Sequence, residues 1–209
     1  MKSVLILGNG ISRLQFNRQI LCYPGEVWGC NNVFLEYGEK LTLLTGHVEN
    51  MEMAEHEKRI NENCKYEIYS GAIKEKYDIY KKIYPNWKRF NCPEKYHKDS
   101  GSTLVNEALF LGYERIDICG FDLGGKDIFC PKHDDDLKHN WVKRWCIIAS
   151  EYGLEKIHFW GWDHKPYIMS CIDGKATIFD YSGKYRKGLP HIPDINYISI
   201  HDCFEKRGR

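Results

Sequence analysis

Titratable side chains are densest in one short segment, where His133 is followed directly by Asp134, Asp135 and Asp136 and then by His139. Histidine titrates near neutral pH, so either imidazole could serve as a general base. The three aspartates could instead bind a divalent cation through their carboxylates. They could also form a solvated acidic loop before a helix, where the helix dipole favours negative charge. The sequence leaves these three interpretations open.

A glycine turn follows the first apolar run of the chain. Gly8-Asn9-Gly10 comes directly after Ser3–Leu7. Glycines there let the chain turn tightly and let a ligand approach the backbone, and the next helix would offer free N–H groups to a phosphate. The dinucleotide-binding pattern is incomplete, because Arg13 stands at the position of its third glycine. The turn is therefore either a nucleotide-contacting loop or a plain strand-to-helix connection.

Two further clusters of polar side chains lie at the ends of predicted secondary-structure elements, one after a strand and one before a helix. Asn31 and Asn32 come directly after the candidate strand Glu26–Cys30, and ligands of open α/β sheets bind beyond the carboxyl ends of strands. Paired carboxamides could read a base or a ribose there, or could simply form a turn. The hydroxyl-rich segment Ser100–Thr103 precedes an apolar helical pattern. It could cap that helix and could also hold a carboxylate or phosphate.

The elements that must position these residues alternate along the chain. Short continuous apolar runs predict strands buried on both faces, as in parallel sheets. The predicted strands are Ser3–Leu7, Glu26–Cys30, Leu41–Leu44, Tyr66–Tyr69, Arg115–Cys119 and Lys156–Trp160. The predicted helices are Glu49 to Asn63, a helix capped by Ser102 or Thr103 and stopped by Gly112, and Lys138 to Tyr152. This alternation predicts an α/β fold, a Rossmann-like, mostly parallel sheet with flanking helices.

The pattern changes after Trp162. Tyr167–Ile172, the pair Asp173-Gly174 and Ala176–Phe179 together predict a β-hairpin. We therefore expect a Rossmann-like nucleotide-binding domain over residues 1–162 and a small β-rich C-terminal extension over 163–209 packed on the same domain. The Lys- and Tyr-rich stretch from Ile73 to Asn91 is expected at the surface.

Composition narrows the function classes. The 209 residues are 43% hydrophobic and 28% charged, as in globular proteins, and the net charge of +1 argues against a general nucleic-acid or other polyanion binder. None of the nine cysteines forms a C-x-x-C pair, so we expect reduced thiols and no zinc ribbon. No apolar run is long enough for a secretory or membrane-spanning segment. These features predict a cytoplasmic protein and leave homo-oligomerisation open.

Three segments resemble a known family when taken together. Val4–Ser12, reading VLILGNGIS, resembles the start of the family 42 glycosyltransferases, which are bacterial sialyltransferases. Trp28–Phe34 looks like that family's Cys-Asn-Gln-Phe segment. The block from Ser100 to Asp122 is similar to its Ser-Gly, Leu-Gly-Tyr and Gly-Ile-Asp-Phe motifs. The same block is similar, more loosely, to a wider set of Rossmann-like proteins that includes pterin pyrophosphokinase-type proteins.

The resemblance implies a transferase that moves a sugar from a nucleotide-sugar donor, such as CMP-sialic acid or another nucleotide sugar, to a hydroxyl of a glycan or other acceptor. It implies no metal cofactor. The donor site predicted from the residues and the resemblance comprises Gly8, Asn9, Gly10, Ser12, Asn31, Asn32, Ser100, Gly101, Ser102 and Asp122. By the same resemblance His139 falls at the place of the family's catalytic histidine, and His133 is the second candidate.

The chain departs from the family at the leaving phosphate. The family's two phosphate-stabilising tyrosines match Gly124 and Cys130, and its arginine before the Ser-Gly pair matches His97. Lys126 or Lys132 could supply the missing charge. The alternative function is therefore a nucleotide-binding module, or a non-transferase nucleotide enzyme of the pyrophosphokinase kind, that uses the same pocket.

Overall fold

Short apolar segments form a central sheet of seven strands, each paired in parallel with its neighbours. The computed structural model describes residues 1–97, 99–122, 125–126, 128–129, 134–135, 139–161 and 164–173, and the backbone alone at 125–126, 134–135 and 139–141. The strands are β1 Ser3–Leu7, β2 Glu26–Cys30, β3 Leu43–Thr45, β4 Glu67–Ser70, β5 Lys88–Arg89, β6 Arg115–Cys119, β7 Gly125–Lys126, β8 Asp134–Asp135 and β9 Ile157–Phe159.

Helices connect the strands and cover both faces of the sheet. They are α1 Asn17–Leu21, α2 Phe34–Tyr37, α3 Val48–Ile60, α4 Lys74–Ile83, α5 Ser100–Phe110, α6 His139–Tyr152 and α7 Lys165–Ile172. Short 3₁₀ turns span Ile11–Phe16, Asn31–Val33 and Glu94–Tyr96. In the part of the chain that the structure describes, no helix combines the length and the apolar character needed to cross a membrane.

The strand order is β5-β4-β3-β2-β1-β6-β9. The chain therefore starts at β1, moves outward to β5, and returns through α5 to place β6 on the other side of β1. This reversal puts a topological switch point between β1 and β6, the place where open parallel sheets bind ligands beyond the strand ends. The predicted Rossmann-like α/β fold is confirmed.

Two hydrophobic clusters lie on opposite faces of the sheet. Alternation along β1 sends Val4 and Ile6 to one face and Leu5 and Leu7 to the other. The first face packs against α5, α6 and α7, and the second against α1, α2 and α3. Every central strand is thus buried on both faces, which explains why its sequence is a continuous apolar run.

Three predictions from the sequence need correction. Tyr167–Ile172 lies in helix α7, not in a strand, and packs on α6; the second predicted hairpin strand lies outside the described residues. The N-cap of α5 is Asp99, not Ser102 or Thr103. Trp87 is fully buried although its stretch was expected at the surface. The backbone of Asp134–Asp135 pairs antiparallel with β7, which leaves the three interpretations of the acidic segment open.

A buried glutamate fixes α5 to the edge of the sheet. Glu107 is completely buried on α5, and its carboxylate accepts hydrogen bonds from the backbone N–H of Asn91, at 2.9 Å, and of Cys92, at 2.8 Å. Both residues lie just beyond β5. Because charge-assisted bonds to backbone donors are strong, this contact holds the start of the return crossover in place. It therefore helps to set where the N-terminus of α5 meets the strand ends.

A second buried carboxylate lies in β6. The Asp117 carboxylate accepts bonds from Arg115 (2.7 and 2.9 Å), Tyr23 (2.8 Å) and Trp160 (2.9 Å). Burial alone would raise the pKa of Asp117, but the hydrogen bonds from these three partners outweigh burial and hold the pKa below its usual value. Asp117 thus joins β6 to the loops that follow α1 and β9.

We predict that Asp117→Asn destabilises the fold by about 1.5–3 kcal/mol at neutral pH, because it weakens charge-assisted hydrogen bonds. A lowered folded pKa means that this contribution is complete above the unfolded pKa of about 3.9 and is lost as the pH falls through the folded pKa. Urea unfolding should therefore show the difference from wild type shrinking in acid. The exposed Glu114→Gln is the control. A difference that is the same at acid and neutral pH would contradict this account.

Candidate functional site

The glycine turn after β1 continues the pairing with β6 beyond the strands. The N–H of Gly8 donates to the carbonyl of Cys119, and the N–H of Gly10 donates to the carbonyl of Gly120, both at 2.8 Å. The turn is thus fixed against the end of β6 at the switch point. The carbonyl of Asn9 accepts from the N–H of Ile128 at 2.9 Å, so the segment after β6 comes back over the turn.

Asp122 fixes the next residues of the turn. Its carboxylate accepts hydrogen bonds from the N–H of Ser12 at 3.0 Å, from the Ser12 hydroxyl, and from the N–H of Ile11. Burial raises the pKa of Asp122, while these bonds act in the opposite direction. Ser12 and Asp122 were both predicted to bind the donor. In the structure Ser12 and Asp122 are hydrogen-bonded to each other, so they position the turn.

The two glycines are required by the packing of the protein itself. A Cβ added at Gly8 would come within 2.3 Å of the Gly120 carbonyl oxygen, and one at Gly10 within 2.5 Å of the Asp122 carboxylate. Gly120 itself has a φ of 78°, which favours glycine. The turn therefore has a structural reason for its glycines, whether or not a ligand approaches it.

The two asparagines after β2 differ in their surroundings. Asn31 has a φ of 52°, a conformation that Asn tolerates, and its carboxamide oxygen accepts from the N–H of His47 at 3.2 Å. It therefore ties the end of β2 to the start of α3. The carboxamide oxygen of Asn32 is buried and has no hydrogen-bond partner in the described part of the chain. Asn32 thus has a buried acceptor without a donor at the end of β2.

The N-terminus of α5 is capped by its own side chains. Asp99 accepts from the N–H of Ser102 at 2.8 Å and from the Ser102 hydroxyl at 2.7 Å. Ser102, a predicted donor-binding residue, therefore has its polar groups in use. Gly101 packs against the Phe121 ring, which leaves no room for a side chain. Ser100 and Gly101 are the first two residues of α5, where the helix supplies no acceptor for the backbone N–H groups, so these are donors that an anion could use.

An arginine that sequence reasoning missed lies at the same helix end. Arg144 of α6 forms an ion pair with Asp99, and both side chains are about three-quarters buried. The pair places a cation beside the free N–H groups of α5. The sequence signal was weak, because Arg144 follows Lys143 on an amphipathic helical pattern, where two adjacent charges indicate a solvated face.

His97, at the place of the family's arginine, supplies no charge there. Its Nε2 donates to the carbonyl of Cys92 at 3.0 Å, since a carbonyl accepts only. Burial lowers the pKa of His97, so the imidazole is neutral near pH 7. Arg144, in its ion pair with Asp99, is the cation that the described residues place at this end of α5, while Lys132 and the side chain of Lys126 lie outside them.

Of the two predicted catalytic histidines, the structure describes the backbone of His139 and no part of His133. His139 is the first residue of α6, as the sequence predicted, and the helix packs into the core through Val142 and Trp145. The side chain of His139 and the whole of His133 lie outside the described residues, as do Asp136 and the matched positions Gly124 and Cys130. Within the described ranges, no three His, Cys, Asp or Glu side chains come together as a metal site.

No family model matches the chain, and no curated protein matches its sequence. Several solved structures share its fold. The sialyltransferase CstII from Campylobacter jejuni in complex with cytidine-5'-monophosphate matches with a TM-score of 0.53 and 18% identity over 77% of this chain and 80% of that chain. CstII in complex with a trisaccharide acceptor and CMP matches with a TM-score of 0.56 and 18% identity, over 76% and 81%.

A second enzyme from the same organism is also similar. The monofunctional alpha-2,3-sialyltransferase Cst-I from Campylobacter jejuni matches with a TM-score of 0.54 and 17% identity, over 99% of this chain and 93% of that chain. At such identities the likeness shows a shared fold. The resemblance to sialyltransferases seen in the sequence motifs is therefore confirmed at the level of the fold.

We predict that Gly10→Ala destabilises the fold by about 1–3 kcal/mol, because its Cβ would displace the Asp122 carboxylate from the turn. Chemical denaturation measures the effect. Gly71→Ala is the matched control, since its Cβ would meet nothing nearer than the Phe90 ring at 3.9 Å. Equal stabilities of the Gly10 and Gly71 variants would show that Asp122 does not hold the turn.

Proposed function

We propose that the protein is a glycosyltransferase that takes a sugar from a CMP-sugar donor and transfers it to a hydroxyl of a glycan acceptor. The shared fold carries this proposal, because the solved structures of CstII hold CMP, and in one case a trisaccharide acceptor, on the same architecture. The switch point between β1 and β6 is where such a sheet binds a nucleotide. Sialic acid is the sugar that these neighbours suggest.

The groups left free at the strand ends suit a nucleotide. At the N-terminus of α5, the N–H groups of Ser100 and Gly101 and the guanidinium of Arg144 would receive the phosphate. The carboxamide oxygen of Asn32 would accept a hydrogen bond from an amino group of the base. The turn Gly8–Gly10, held by Asp122, would form the floor of this nucleotide site. In this assignment Arg144 does the work of the arginine that the chain lacks at His97.

Transfer itself needs a base and a leaving group. The acceptor hydroxyl would lose its proton to a histidine as its oxygen attacks the anomeric carbon, while the bond to the donor phosphate breaks. His139 is our first candidate for the base because it opens the helix that leads to β9, and His133 is the second. The phosphate leaves as CMP, held by the α5 N-terminus. We propose that this step uses no metal ion.

We predict that Asn32→Ala weakens CMP binding by about 2- to 12-fold, the equivalent of one neutral hydrogen bond. Isothermal titration calorimetry with CMP measures the change. The control is Gln19→Ala, which removes an exposed carboxamide from α1. Unchanged CMP affinity in the Asn32 variant, or no CMP binding by the wild type, would remove the base-binding assignment.

We predict that His139→Ala lowers turnover by about 10²- to 10⁴-fold while CMP binding persists, as expected for loss of a general base. CMP release from CMP-sialic acid in the presence of a glycan acceptor measures turnover. His56→Ala, at an exposed position on α3, is the control, and His133→Ala should have a smaller effect. Full turnover in the His139 variant would transfer the role to His133. CMP binding without turnover by the wild type would favour the alternative of a nucleotide-binding module.

A further inference from the structure

A buried arginine beside the glycine turn has two guanidinium nitrogens without a hydrogen-bond acceptor among the described residues. Arg13 lies in the 3₁₀ turn Ile11–Phe16, and its side chain is completely buried. Nη1 donates to the Glu36 carboxylate at 2.9 Å. Nε and Nη2 are also buried, and they have no hydrogen-bond partner among the described residues. Burying the donors of a cation without acceptors is unfavourable, so these two N–H groups point to a missing acceptor.

The two unused nitrogens form one edge of the guanidinium. Their N–H bonds are parallel, and this is the edge that holds two oxygens of a carboxylate or phosphate at once. Arg115 shows the same edge when it is occupied, with Nε 2.7 Å and Nη2 2.9 Å from the two Asp117 oxygens. Arg13 has this donor edge without the carboxylate that fills it in Arg115.

The surroundings of Arg13 fix the guanidinium in place. The Tyr37 ring lies 4.9 Å and the Phe129 ring 5.7 Å from its central carbon, so aromatic faces hold its plane. The nearby Cys119 thiol is neutral, because burial raises its pKa to about 12. Among the described residues, Glu36 is the carboxylate that forms an ion pair with the Arg13 guanidinium, and it is partly exposed.

Asp122 does not fill the free edge either. Its carboxylate is used by the backbone and hydroxyl donors of the glycine turn. The N–H of Arg13 itself donates to the Gly10 carbonyl at 3.2 Å, which places the arginine directly behind that turn. The free donor edge of Arg13 is therefore fixed in position close to the switch point. It lies on the face of the sheet that carries α1 and α2.

We propose that the Nε–Nη2 edge of Arg13 is an oxyanion-binding site that takes a carboxylate or a phosphate group through two parallel N–H···O bonds. It is distinct from the N-terminus of α5, which lies on the other face of the sheet. Because the Arg13 side chain is closed to solvent, the packing around this edge must open for the anion to enter. The site does not depend on the transferase proposal, since the anion is recognised by its two oxygens.

The test is calorimetric titration with inorganic phosphate and, separately, with acetate. Wild type and the exposed-arginine control Arg18→Met should bind at least one of these anions saturably and alike. Arg13→Met should weaken that binding by about tenfold or more, since charge-assisted bonds are lost. The anion whose binding is lost identifies the source as a phosphate or a carboxylate. Unchanged binding of both anions in Arg13→Met would overturn the proposal.

A second measurement does not depend on the stability of Arg13→Met. Arg13→Lys keeps the charge but lacks the parallel donor pair, so it should bind the anion more weakly than wild type. Crystals of the wild-type protein soaked in tungstate should show an anomalous peak within bonding distance of Nε and Nη2 of Arg13. A water molecule at that position, with tungstate bound only elsewhere or not at all, would overturn the proposal.

Discussion

The carboxylate of Asp122 ties the turn after β1 to the end of β6, and the geometry of the candidate site depends on this contact. Without it, the N–H groups of Ile11 and Ser12 at the start of the 3₁₀ turn would lack their acceptor. The turn would keep its backbone bonds to Cys119, Gly120 and Ile128 but would lose the contact that fixes its last residues. Burial raises the pKa of Asp122, and the bonds it accepts oppose that rise. The carboxylate is thus committed to structure at the point where a ligand would bind.

The polar groups at the strand ends therefore fall into two kinds. Ser12, Asp122, Asn31 and Ser102 are used by the protein to hold loops and caps. The Asn32 carboxamide oxygen and the free edge of Arg13 have no partner among the described residues, and the first N–H groups of α5 have no acceptor within the helix. A rigid frame that leaves a few unpaired polar groups is what a preorganised binding site requires, because little ordering remains to be done on binding.

Sequence patterns predicted the fold well where one physical cause dominates. β1, β2 and β6 are buried on both faces, so their apolar runs are continuous and their predicted bounds agree with the structure. Sequence patterns failed where contacts between distant residues determine the local secondary structure. The pair Asp173-Gly174 suggested a hairpin, but Tyr167 and Ile168 pack in the core as part of a helix. The α5 cap was misplaced because Asp99, which also pairs with Arg144, competes with Ser102.

The sequence predicted where the candidate site lies better than it predicted what each residue of the site does. Glycines after β1 and asparagines after β2 mark strand ends, and parallel pairing brings these ends to one edge. What a linear pattern does not give is which donors and acceptors the protein satisfies internally. The unused edge of Arg13 and the ion pair of Arg144 arise from contacts between residues far apart in the chain. Such contacts leave no periodic signal.

The most direct test of the account is a crystal structure of the protein grown with CMP. We predict density for the nucleotide at the carboxyl edge of the sheet, with its phosphate at the N–H groups of Ser100 and Gly101 and its base beside Asn32. CMP bound at another face, or an empty strand edge in crystals saturated with CMP, would contradict the claim that this edge is the nucleotide site.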